Sequence, residues 1–147
     1  MAVGPFLSDD TGFSTLLSSE NWETSDIYLA LVTTTYNPTR GSQTWSDISA
    51  NADADRIALS TLNPAVGLNG TNVRFTHTKA TFTEDGSKTG RYVFYLFGTA
   101  GDPQAADAVI GYIDLTGDGD AESTNAEFSF TPDATNGLFQ VARTSAP

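Results

Sequence analysis

Three apolar runs constrain this chain more than any other feature: Ile27-Tyr28-Leu29-Ala30-Leu31-Val32, Tyr92-Val93-Phe94-Tyr95-Leu96-Phe97 and Val109-Ile110-Gly111-Tyr112-Ile113. Each is too apolar to remain in water and too short for a helix of ordinary length, so each reads as a strand buried on both faces. Turns rich in Gly, Asn, Asp and Thr separate them from shorter alternating segments across residues 26–143. About seven or eight strands at such spacings predict an all-β fold, a two-sheet antiparallel β-sandwich of jelly-roll type. Leu29, Leu31, Val93, Tyr95, Phe97, Ile110, Ile113 and Phe128 are the expected core.

At 147 residues the chain suits one domain, and a chain of that size buries about two-thirds of its unfolded surface, enough to fold without staples. It has no cysteine, which removes disulfides, thiolate nucleophiles and thiolate zinc sites together. No run approaches the roughly 18 apolar residues of a membrane-spanning helix. The first ten residues lack a signal-peptide pattern, so synthesis in the cytoplasm is expected and no membrane partner is. Eighteen Asp and Glu against seven Lys and Arg give a formal charge of −11, which opposes contact with a phosphate backbone and makes nucleic acid an unexpected partner.

The chain divides into an N-terminal arm with a short helix, residues 1–21, and a sandwich body, residues 22–147. Gly4 and Pro5 predict an extended arm over residues 1–10 with no place in the sandwich. Asp10 or Thr11 is positioned to cap a helix that carries Phe13, Leu16 and Leu17 on one face and ends near Ser19. Strands are expected over residues 26–35, 56–61, 73–77, 91–97, 109–115, 126–130 and 138–143, with loops at 64–72 and 98–108. Val73, Phe75 and His77 alternate in one phase and Ala80 and Phe82 in the other, which predicts a break near Thr78 and Lys79.

Little in the sequence points to chemistry. Asp114, Asp118, Asp120 and Glu122 crowd a Gly-rich turn of the kind that supplies oxygens to calcium, but their spacing does not match the EF-hand loop. A solvated hairpin tip is the simpler reading, so no metal or other cofactor is expected. His77, the single histidine, reads as a half-exposed strand residue, since no nucleophile motif accompanies it. No catalytic residue is assigned. Trp22, Trp45, Tyr36 and Phe6 are aromatics in or beside expected loops, most of them expected as lids on the core; Phe6, Leu7, Tyr36 and Trp45 are the candidate contacts to a partner protein or to another copy, with Phe6 the foremost anchor.

The order of segments resembles a group of small virion proteins of tailed bacteriophages. Trp22 and Asp26 lead into Ile27-Tyr28-Leu29-Ala30-Leu31-Val32, followed by Ser46-Asp47-Ile48 and by Arg56-Ile57-Ala58-Leu59-Ser60. Ala80-Thr81-Phe82-Thr83, Tyr92-Val93-Phe94-Tyr95, Val109 to Asp114 and Gly137-Leu138-Phe139 resemble the later strands of that group, so the likeness spans residues 22 to 141. Two departures stand out: Leu62 to Leu68 replaces a Gly-rich stretch, and a short acidic helix replaces a basic one.

The resemblance implies a capsid decoration (cement) protein. Such a protein sits on the outer surface of the virion head, binds the major capsid protein, assembles with copies of itself as a homotrimer, and has no enzymatic activity. In that setting the partner of Phe6, Leu7, Tyr36 and Trp45 is the capsid or another copy. The alternative is a tail or fibre module that binds a receptor or carbohydrate through the same sandwich.

Overall fold

The computed structural model describes residues 6–82, 88–115, 121–123 and 128–142. The fold is all-β and built of antiparallel sheets, as a sandwich requires. Its frame is a five-stranded sheet in the order β1 (Phe6–Ser8), β9 (Val109–Asp114), β8 (Tyr92–Phe97), β2 (Ile27–Val32), β3 (Ala52–Ala58). The three apolar runs are its three inner strands, and every residue of β2 is buried. That is why they lack the alternation of a half-exposed strand.

The pleat sends their side chains to two separate cores. On one face Leu29, Leu31, Val93, Tyr95 and Ile113 meet a second layer. This layer contains the three-stranded sheet β12 (Phe139–Ala142), β5 (Asn72–Thr76), β4 (Ala65–Asn69) and the pair β11 (Phe128–Phe130), β6 (Ala80–Phe82). Phe75, Phe82, Phe130 and Leu138 are its buried contributions. A further pair joins β7 (Lys88–Gly90) to β10 (Ala121–Ser123). On the other face Tyr28, Ala30, Val32, Phe94, Leu96 and Tyr112 form the second core, closed by Ile48 and by Leu7, Tyr36 and Trp45.

Trp22 plugs the first core. It is 2% exposed, its ring lies within 6.0 Å of Phe75, Tyr95 and Phe139, and its indole N–H donates to the Thr76 carbonyl at 2.9 Å. Helix α1 (Asp10–Ser18) has Asp9 as its N-cap, one residue before the first expected cap, through a carboxylate that accepts from Thr11 N. It lies so close to β9 that a Cβ on Gly12 would stand 1.8 Å from the Val109 carbonyl oxygen.

Several expectations need correction. Part of the expected arm belongs to the sandwich: Phe6, Leu7 and Ser8 pair with Ile113, Tyr112 and Gly111 as an edge strand. Residues 1–5 lie outside the described residues, as do residues 116–120 and 124 of the acidic turn expected over 116–124 and the side chain of Phe128; Ala121–Ser123, expected in that turn, is instead strand β10. Trp45–Ile48 is a one-turn helix, α2, in which the Asp47 carboxylate accepts from Thr44 N at 2.8 Å. Strand β3 begins at Ala52 and gives way to a 3-10 turn at Leu59–Leu62, earlier in the chain than the expected 56–61 strand. The expected loop at 64–72 contains β4 and a tight turn in which Gly70 takes a φ of 63°. The break near Thr78 and Lys79 is present, and it sends β5 and β6 into different sheets.

Candidate functional site

The four candidate contact residues divide between the two faces of the five-stranded sheet. Phe6 points into the first core, stacked on Phe139 at 4.5 Å between ring centroids and edge-on to Tyr95 at 5.9 Å. It anchors the chain to itself. Leu7, the next residue of the strand, takes the opposite face and joins Tyr36 and Trp45 over the second core.

That second face is closed by irregular chain, and buried polar groups hold the cover in place. Asp9, fully buried, accepts from Ser42 N at 3.1 Å, Gln43 N at 3.0 Å and Gln43 Nε2 at 3.3 Å. Gln43 Oε1 in turn accepts from the Tyr36 hydroxyl at 2.6 Å and from Thr39 N at 3.1 Å, and the Gln43 amide donates to the Thr39 carbonyl. Satisfying so many donors on one buried carboxylate and one amide makes the cover specific, since an unmet partner there costs about 1–3 kcal/mol. Burial, and then the charges of Asp47 and Asp9, push the Tyr36 hydroxyl above its ordinary pKa, so Tyr36 is a hydrogen-bond donor at neutral pH. Trp45 stands edge-on to Tyr28 at 5.8 Å, with the Arg56 guanidinium 5.6 Å from its ring centroid. The Tyr28 hydroxyl donates to Asp107 at 2.9 Å, and burial, followed by that hydrogen bond, raises its pKa.

His77 is buried, not half-exposed, at 5%. It continues the core-facing phase of Phe75, and its Nδ1 lies 2.6 Å from the Thr78 carbonyl and its Nε2 2.8 Å from the Tyr95 hydroxyl. A carbonyl only accepts, so Nδ1 carries the proton and Nε2 accepts from Tyr95. Burial lowers the His77 pKa, and the Thr78 carbonyl opposes that shift. Because the folded state holds the proton less tightly than the ordinary value of about 6.5, stability is full above that pH and falls as pH drops through and below it. The melting temperature of the protein is therefore expected to fall between pH 7 and pH 5.5, with a slope of at most about 1.4 kcal/mol per pH unit from this group. His77→Gln should flatten that limb; an unchanged slope in the variant, measured by thermal melts across the range, assigns the effect elsewhere.

Asp114, the first carboxylate of the acidic turn, is committed to Arg91 in a two-pronged ion pair at 2.7 and 2.9 Å. Among the described residues no group of three or more His, Asp or Glu is placed to hold a metal ion.

Sequence reasoning missed a groove that apolar side chains line together with Glu20, Asn21 and Glu23. Leu16, Leu17 and Trp22 on one side and Val66 and Phe75 on the other enclose about 310 Å³ between the end of α1 and β4. Leu17, expected on the buried face of the helix, is 50% exposed there. The alternation of Val66 and Leu68 with small residues, ahead of Asn69-Gly70, was the available signal for a strand.

Comparison of the chain with protein families, with curated proteins and with solved structures finds no match.

Proposed function

We propose that the protein is a non-enzymatic structural component of a tailed-phage particle, which binds the outer capsid surface and stabilises the head. The observation that carries this reading is the ordered pattern from Trp22 to Phe139, with Trp22 and Asp26 before Ile27 to Val32, Ser46-Asp47-Ile48, and the later strands. The same residues build the fold: Trp22 plugs one core, Ile27–Val32 is a central strand and Ile48 closes the other core. The balance of charge suits the outside of a shell that packs nucleic acid within, because the net −11 repels the phosphate backbone.

In this reading the work is binding free energy. Many copies, each holding neighbouring subunits of the major capsid protein, stabilise a lattice through multivalent contact. A closed trimer of the chain fits three-fold positions on such a shell. Quantifying copies per purified particle tests the proposal. On the order of hundreds is the expected outcome, as multivalent shell binding requires. A number in the low tens would favour a tail or fibre module, and absence from the particle would overturn both.

A further inference from the structure

We propose that the free edge at β4 receives an extended segment of a different protein, one whose alternating apolar side chains are bracketed by Lys or Arg. The inference does not rest on the function proposed above.

Among the described residues, strand order leaves β4 at the edge of its sheet, paired to β5 alone. Val66 lies opposite Phe75 and Leu68 opposite Val73, so all four side chains share the face that looks toward the first core. Phe75 and Val73 are covered there. Val66 and Leu68 are not: they are 39% and 64% exposed, and Leu17 faces the same groove at 50%. The sandwich is thus open along this edge, with Trp22 and Leu16 as the groove wall. Leu17, Val66 and Leu68 are the exposed large apolar side chains among the described residues, and their lying in or beside one groove marks a contact surface.

The backbone specifies what shape fits. Val66 N–H donates to Glu23 Oε1 at 2.8 Å, so the polar groups of Val66 face away from β5. With the two-residue period of a strand, those of Leu68 do the same. Glu23 occupies the place of one carbonyl of an added strand, and an extended segment pairing at Leu68 would continue the sheet by strand addition. Charge specifies the rest. Glu20 and Glu23 line the groove and no basic residue does, which favours cationic flanks on the occupant and disfavours a second copy of a chain with net charge −11.

The test uses the whole protein, fluorescently labelled, on immobilised peptides of alternating Val and Thr bracketed either by lysines or by glutamates. Retention on the lysine-bracketed set at least about tenfold above the glutamate set is expected. It should be lost in the double variant Val66→Lys, Leu68→Lys, whose melting temperature should match the parent because both positions are exposed. Equal retention on both sets, no retention on either, or retention unchanged in the double variant overturns the proposal. A dimer of the unmodified protein that the same double substitution dissolves would show instead that a second copy takes the edge.

Discussion

Truncation of Trp22 to alanine is expected to cost about 3–5 kcal/mol of stability, the range for removing a large buried aromatic. Three effects act together. The indole fills the space among Phe75, Tyr95 and Phe139, so its loss leaves a cavity that several elements would have to collapse at once. Its N–H is the partner of the Thr76 carbonyl, which would be left unmet at the end of β5. It also forms a wall of the groove, so water would gain a path to the centre. Against a typical total of about 5–15 kcal/mol, such a loss leaves a marginal protein. Chemical denaturation followed by circular dichroism measures it. Trp22→Phe retains much of the packing and should cost visibly less; equal, small losses in both would place Trp22 outside the core.

The second large effect comes from adding a single methyl group. Gly12→Ala in an exposed helix would gain up to about 1 kcal/mol in helix propensity. Here the new Cβ would meet the Val109 carbonyl oxygen at 1.8 Å and its carbon at 2.5 Å. These are backbone atoms of an inner strand, and Val109 N is itself bonded to the Gln43 carbonyl at 3.0 Å. The strand cannot yield without opening the sheet, so α1 must move away and draw Leu16 from the core. Overpacking ordinarily costs about 1–3 kcal/mol, and a clash with fixed backbone belongs at or above the top of that range. Gly41→Ala and Gly101→Ala, where nothing lies within 4 Å, should change stability by no more than about 0.5 kcal/mol. A rise in melting temperature for Gly12→Ala would mean that helix and strand are not in this contact.

What could be read in advance followed from burial. Strands β2, β8 and β9 declare themselves because both faces are covered, and a continuous apolar run of that length has few other uses. The helix was legible from its cap and spacing, though Leu17 was placed on the wrong side, because its position alone does not show where β4 leaves the groove open. Strand β4 itself was hidden by its small residues and its exposure, which weaken the alternation that marks a strand. The candidate site was the least legible. Leu7, Tyr36 and Trp45 do gather on one face, but Phe6 is drawn to the other by pairing with a strand more than a hundred positions away, and local pattern carries no information about such a partner. His77 depends in the same way on Tyr95, a residue of a different sheet.

The pairing of Phe6 with Ile113 also determines how the chain must reach its native state. Leu31 waits for Val93 and Phe75 for Phe139, so several of the ladders join regions far apart in sequence. Loop closure has to be met before such contacts contribute anything, which puts folding of topologies like this in the range of about milliseconds to seconds. On a ribosome adding about 5–20 residues each second, β1 would have no partner strand to join for several seconds, until β9 had been made. Completion of this sheet edge is therefore a late step, and it secures Phe6–Ser8 only after the hundred or so residues up to β9 exist.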